Sequence, residues 1–249
     1  MYKRQAQKLV TRASALDRAA ATPDFPQLAP IVDACPERGT VTFAELPGPT
    51  LRDLLLAGKG EDAIPAVAAA VVAFQGAAIP EEIGATPSSN LDDWVGYVAH
   101  HAPGLAPSYQ RVLRALPAAP VGEPPVLAHG DLHDGNVILT DGGVGLLDLD
   151  GVAAADPAED VANLLAHLVL RAIQRNGEPA QGHSQGERFL AAYQIAGGVA
   201  PAEAVAAATA RTLFRLACVH LFRGRWHSIS PLLLHEALAP VRHHQPATP

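Results

Sequence analysis

The stretch VLAHGDLHDGNVILTDGGVGLLDLDG, residues 126–151, constrains this chain more than any other. It sets Asp, Asn and His side chains beside two apolar runs that read as short β-strands. One run is Val137, Ile138 and Leu139; the other is Val144, Leu146, Leu147 and Leu149. Asp141-Gly142-Gly143 between them is a hairpin signal, because glycine accepts the positive φ of tight turns. With the turn centred on Gly142, Thr140 faces Val144 and opposed residues carry numbers summing to 284. Asn136 and Asp148 then stand opposite each other, with Cβ atoms roughly 4.5–5.5 Å apart. An amide oxygen and a carboxylate leaving the open end of a hairpin together suit Mg²⁺. That ion takes oxygen donors and keeps its other positions for water and phosphate oxygens. Asp131 lies in the turn entering the hairpin, near the metal without necessarily binding it.

Composition narrows the partners. At 249 residues the chain makes one large or two small domains. Apolar residues at 49% and charged residues at 17% supply a sizeable core. A net charge of −7 argues against nucleic acid, whose phosphates need clustered Lys and Arg. Cys35 and Cys218 have no CxxC partner and read as free thiols of a reducing compartment. The N-terminus lacks an apolar signal-peptide core, and no apolar run reaches the roughly 18 residues of a membrane span. The expectation is a soluble, cytoplasmic chain with no membrane partner; no pattern specifies an oligomer.

Along the chain, Leu9, Ala13, Leu16 and Ala20 follow a helical period that Pro23, Pro26 and Pro30 break. Thr40 to Leu46 alternates and reads as a strand ending at Pro47-Gly48. Thr50 caps a following helix. Helices are expected over 62–75, 90–101 (Ser89 or Asn90 as cap) and 108–116, followed by a proline-rich connector, 117–125. Asp156-Pro157-Ala158-Glu159 reads as cap, first-turn proline and capping-box glutamate of a helix running to about Arg175. Residues 176–185 read as a polar loop. Helices over 185–196, 201–223 and 231–241 complete a helical C-terminal half, with a loose tail from His243. Arg211, Arg215, Arg223 and Arg225 form a basic stripe, either solvated or facing an anionic substrate.

His129-Gly130-Asp131 followed by Asn136 resembles the His-x-Asp-x-x-x-x-Asn catalytic loop of kinases, with Asp148 where kinases place a second metal-binding aspartate. The glycine in His-Gly-Asp, the Leu-Asp-Leu-Asp-Gly run and Asp156-Pro157 followed by Asp160 are similar to the aminoglycoside phosphotransferase and choline kinase-like superfamily. So is Asp160-Val161-Ala162-Asn163-Leu164, and residues 43–48 resemble its hinge between lobes. The resemblance covers about 41–171 well and the C-terminal helices loosely.

The resemblance implies an α+β, protein-kinase-like fold. Residues 1–48 would be a partial small N-terminal lobe with hinge, and 49–249 a large, mostly helical catalytic lobe carrying the hairpin. It implies phosphoryl transfer from ATP or GTP to the hydroxyl of a small molecule such as an aminoglycoside, amino alcohol or sugar. Asp131 would orient the hydroxyl and receive its proton. Asn136 and Asp148 would hold Mg²⁺ on the nucleotide phosphates, and the backbone at Glu45 and Leu46 would meet the purine. Positioning and charge neutralisation are most of what this chemistry asks of a protein. His129 would brace the loop by hydrogen bonds and Asp160 would support it from below. Asp150 is either a second metal or substrate contact, or a turn former before Gly151. For a cationic acceptor, Trp94, Tyr97, Trp226, Asp92, Asp93 and Glu159 are candidate pocket residues.

Two other readings compete. Gly130-Asp131-Leu132-His133 also resembles a metallophosphatase tetrapeptide, but no Asp-x-His precedes it and no Asn-His follows, so a metal-dependent phosphoesterase leaves Asn136 and Asp148 unused. His129 and His133 would need a helix to converge on a metal, and Gly130 and Asp131 disfavour one. The second reading is a truncated or inactive, kinase-like nucleotide-binding protein. No glycine precedes Gly39, so a phosphate-covering loop is not visible. Lys3 is the candidate remnant of the lysine strand, and Arg12 or Asp17 lies nearest the place of its glutamate partner. A start within the first lobe is the expected explanation, and it predicts weak Mg-nucleotide binding and poor transfer for this length of chain.

Overall fold

The protein is described from a computed structural model, which covers residues 2–20, 24–85, 90–118, 120 and 122–239. It opens with α1 (Tyr2–Ala19), then β1 (Gln27–Leu28) and a hairpin of β2 (Ile31–Cys35) and β3 (Thr40–Phe43). A linker leads to α2 (Leu51–Leu56), α3 (Ile64–Gln75), α4 (Leu91–His101) and α5 (Ala106–Ala115). Then come β4 (Val126–Ala128), β5 (Val137–Thr140), β6 (Gly143–Leu146) and β7 (Ala153–Ala155). Four helices follow among the described residues: α6 (Pro157–Asn176), α7 (Ala180–Ile195), α8 (Ala202–Leu221) and α9 (Ser230–Leu238).

The caps follow local chemistry. Thr50 and Asp53 form a reciprocal capping box on α2, and the Asn90 side chain accepts from the Asp92 amide on α4. Ser89, the other candidate cap, lies outside the described residues, as does the tail from His243. Asp156 caps α6 by accepting from the Ala158 amide, with Pro157 in the first turn. Glu159 does not complete a capping box there, contrary to expectation.

Helix α6 is the axis of the larger part. Val161, Leu164, Leu165 and Leu168 face one buried cluster, shared with α3, the β5–β6 hairpin and α7. Ala166, Val169, Leu170 and Ile173 face a second, shared with α4, α5, α8 and α9. A helix buried on both sides loses the freedom to shift, so side chains in its first turns are held rigidly. Buried Gln75 ties α3 to the start of α6 by donating to the Pro157 carbonyl at 3.0 Å, and it accepts from the Tyr193 hydroxyl at 2.6 Å. Helix α8 is long and apolar enough to cross a membrane by length and composition, but 67% of that stretch is buried and it packs on α6 and α9 as a core helix.

Three further expectations are corrected, and one stretch without an assignment is filled. The strand from Thr40 stops at Phe43, and Glu45 and Leu46 lie in the irregular linker. Lys3 lies in helix α1, so it belongs to no strand; its side chain lies outside the described residues. The prolines after α1 are followed by β1 and β2, strands that propensity did not reveal. Residues 180–185 form the start of α7 and not a polar loop. Gly182 explains why that helix is hard to read. A Cβ there would sit 2.5 Å from the Val169 Cα, so α7 lies against the backbone of α6 only with glycine at the contact. Gly182→Leu is expected to cost about 3 kcal/mol or more by overpacking, read as a lowered denaturant midpoint at unchanged slope.

Candidate active site

Two nested antiparallel ladders build the site. The outer one pairs Val126 with Ala155 and Ala128 with Ala153; the inner one pairs Val137 with Leu146 and Thr140 with Gly143. Each arm between the ladders is a loop, 129–136 on one side and 147–152 on the other. The two loops touch through glycine. Gly130 has φ +80°, and a Cβ on it would meet the Gly151 carbonyl oxygen at 2.1 Å. No larger residue fits that approach with that backbone.

The inner register corrects the expected pairing. Opposed residues sum to 283, not 284, because Asp141-Gly142 is a two-residue loop closed by Thr140 and Gly143. Asn136 therefore faces Leu147, whose amide donates to the Asn136 carbonyl at 2.9 Å. One residue of slip exchanges the faces of a strand, so a regular continuation would turn Asp148 away from Asn136. The chain instead leaves the ladder at Asp148, with φ 57° and ψ 69°, the one non-glycine in the left-handed region among the described residues. Aspartate tolerates that region better than most residues, at a cost on the order of 1–2 kcal/mol. Asn136 and exposed Asp148 thus both stand at the open end of the hairpin, but by a backbone reversal and not by cross-strand pairing.

The catalytic-type loop is held from three sides. Buried Asp160, in the first turn of α6, accepts from the amides of His129 at 2.6 Å and Gly130 at 2.9 Å. Burial pushes its pKa up, and the His129 ring and the two amide donors oppose that rise. The His129 ring is fully buried and bridges the loops. Its Nε2 donates to the Leu147 carbonyl at 2.8 Å, which leaves Nδ1 to accept from the Asp131 amide at 3.3 Å. Asn136 Nδ2 donates to the Asp131 carbonyl at 3.1 Å, and no described group takes its Oδ1. The Asp131 side chain, half exposed, accepts at Oδ1 from Asn163 Nδ2 at 3.3 Å.

Asp134 was not singled out in the sequence, yet it is the most completely buried carboxylate of the loop. Arg171 of α6 binds both its oxygens, at 2.7 and 3.2 Å, and Arg52 Nε lies at 3.9 Å. His133 and His167 stack beside it with ring centres 4.8 Å apart. His133, Asp134 and His167 could each turn one ligand atom toward a common point. A cation does not suit that point. The carboxylate is already paired, and burial together with His133, Arg215, Arg171 and Arg52 holds the His167 pKa well below its ordinary value. The cluster ties the loop to α6.

Around this core the other candidates distribute unevenly. The linker carrying Glu45 and Leu46 runs against the hairpin, and Leu46 Cδ1 lies 2.8 Å from where a Gly145 Cβ would be. Asp150 sits exposed in a single 3₁₀ turn, its carbonyl taking a hydrogen bond from the Arg12 guanidinium of α1. Of the candidate cation pocket, Tyr97 packs on His101 and Phe222 while Trp94 packs into the second core, and nothing gathers them at Asp131. The Trp226 and Arg225 side chains lie outside the described residues. The basic stripe divides: Arg215 turns inward to donate to Asn163 Oδ1 at 2.8 Å, whereas Arg223 is exposed. Asn163 and Arg215 were the residues whose place could not be read. Asn163 had two signals, its place in the family-like run 160–164 and its position three residues after Asp160 on the same face of a capped helix.

A linker-joined β hairpin and helix on one side, and a helical lobe presenting two loops on nested ladders on the other, define the protein-kinase-like class of small-molecule kinases. The chain belongs to the phosphotransferase enzyme family designated APH, whose model matches residues 41–217. Solved structures share the fold. A glucosamine kinase aligns with TM-score 0.63 at 19% identity, over 93% of this chain and 69% of that one. The GDP complex of aminoglycoside 2'-phosphotransferase-IIIa aligns at 0.56 and 16%, over 94% and 83%. A choline/ethanolamine kinase family protein from Mesorhizobium loti aligns at 0.57 and 14%, over 93% and 78%. No curated protein is significantly similar to the chain in sequence.

Proposed function

We propose that this chain transfers the terminal phosphoryl group of ATP or GTP to a hydroxyl of a small molecule, in a Mg²⁺-dependent reaction with Asp131 as base. The observation that carries this reading is the state of Asp131. Its backbone is clamped by His129 and Asn136, one carboxylate oxygen is held by Asn163, and the rest of the side chain faces solvent. A carboxylate so placed can orient an incoming hydroxyl and accept its proton as the oxygen attacks phosphorus.

The oxygen donors at the hairpin mouth fit Mg²⁺. Asn136 has its amide oriented by the bond from Nδ2 to the Asp131 carbonyl, which leaves Oδ1 without a partner among the described residues, and Asp148 is an exposed carboxylate on a left-handed backbone. Bound there, the ion would neutralise phosphate charge and align the nucleotide. The linker at Glu45 and Leu46 is the proposed contact for the purine. Two structures of the same fold, the GDP complex above and a glucosamine kinase in complex with glucosamine, ADP and inorganic phosphate, support a nucleotide donor and a hydroxylated metabolite acceptor.

Calorimetry with Mg-ATP and Mg-GTP, followed by turnover across a panel of amino sugars, aminoglycosides and amino alcohols, tests the reading. Binding that needs Mg²⁺ and transfer to one acceptor class is expected; weak binding without transfer would favour the inactive, nucleotide-binding reading instead, and phosphate-ester hydrolysis without nucleotide would overturn both. Asp148→Ala is expected to weaken Mg-dependent nucleotide binding by about tenfold or more while leaving metal-free binding unchanged, since it removes a charged ligand and not a nucleotide contact.

A further inference from the structure

We propose that Asn163 and Arg215 are positioning residues for Asp131, with Arg215 selecting the one orientation of the Asn163 amide that presents its NH₂ to the Asp131 carboxylate. This rests on the reading of Asp131 as the acceptor base and deepens it.

An asparagine amide is nearly symmetric in shape, so a half-turn about its last bond exchanges a donor for an acceptor at almost no steric cost. Here every neighbour has one polarity. Arg215 Nη2, 2.8 Å from Oδ1, can only donate. The Leu132 carbonyl, 2.9 Å from Nδ2, and Asp131 Oδ1, 3.3 Å from it, accept. Flipping the amide would put NH₂ against a guanidinium and oxygen against two oxygens, losing three bonds at once. A buried amide with such bonds unmade has lost its water and gained no partner in return. Asn163 is only 8% exposed and sits on α6 between the two cores, so no water replaces those partners easily.

Arg215 is placed for this task. It reaches in from α8, and its hydrogen bond goes to the Asn163 amide oxygen and not to a carboxylate. Burial draws its pKa down, while Asp131 and Glu159 hold it up. The line Arg215, Asn163, Asp131 therefore restrains Oδ1. Oδ2 is left on the side of His133, 3.9 Å from Nε2. Half-exposed Asp131 would otherwise be free to rotate, and a misplaced reacting group can cost on the order of 100-fold in rate.

The test uses the full chain and reads two independent quantities. The first is exchange of the Asn163 side-chain NH₂ protons by NMR. Protection is expected in the wild type, a loss of about tenfold or more in Arg215→Met, and retention within about threefold in Arg215→Lys, which keeps a cationic donor. Unchanged protection in Arg215→Met overturns the proposal. The second is kinetic. Arg215→Met and Asn163→Asp, which keeps volume and the acceptor for Arg215 but loses both donors, are expected to lower kcat about tenfold or more. The nucleotide KM should stay within about threefold, and Arg215→Lys should recover most of the rate. Equal losses in the Lys and Met variants, or wild-type kcat in Asn163→Asp, overturn it. Absence of phosphoryl transfer in the wild type would count against the role of Asp131, while amide protection would still decide the positioning.

Discussion

Asp131→Ala is expected to lower phosphoryl transfer by about 10²–10⁴-fold, the usual range for a positioned general base, while Mg-nucleotide affinity stays within about threefold. The asymmetry follows from where the side chain's contacts lie. The Asp131 carboxylate meets Asn163 and the edge of His133, whereas its backbone carbonyl, untouched by the substitution, keeps the bond from Asn136 Nδ2. The proposed metal ligands therefore keep their support. Calorimetry of Mg-nucleotide binding beside a coupled turnover assay separates the two effects. Transfer at the wild-type rate in Asp131→Ala would remove the residue from the chemistry, and a parallel loss of nucleotide affinity would reassign it to binding.

The largest expected effect on stability comes from a residue with no proposed contact to substrate. Asp134→Ala should lose about 3–5 kcal/mol, because it leaves the Arg171 guanidinium, 12% exposed, without its two-oxygen partner. Asp134→Asn keeps one acceptor for Arg171 and should lose less. Denaturant unfolding checks both, and a loss below about 1 kcal/mol for Asp134→Ala would mean that water or Gln174 takes over the guanidinium. Because Asp134 lies two residues before Asn136, the same variant should also loosen the loop, so its activity is best measured well below its unfolding temperature.

Much of the site was legible because it is local. Asp131, Asn136, Asp148, Asp156 and Asp160 lie within thirty residues of one another, on a hairpin and a capped helix whose signals are short-range. Turn chemistry announced the hairpin, but its register hinged on whether the loop held two residues or three. Glycine at both 142 and 143 left that open, and hydrogen bonding settled it one residue away from the expected pairing. The start of α7 was hidden for a different reason. Gly182 and Gly186 lower helix propensity, and the packing that requires a bare backbone at Gly182 is with α6, a partner propensity cannot see. Lys3, expected on a strand, belongs to a helix whose period was visible only from Leu9 onward.

What the sequence determined by itself was the set of groups proposed to carry the chemistry. Spacing along a hairpin and along a helix follows from the covalent chain. What only the tertiary structure decided was how those groups are held. Arg171 reaches Asp134 from 37 residues away, Arg215 reaches Asn163 from 52, and Asp148 attains its place through a left-handed backbone and not through pairing. Polar contacts between separate helices depend on the packing of the two cores around α6. A guanidinium on a helix face looks alike in sequence whether it meets water or, as Arg215 does, a buried amide.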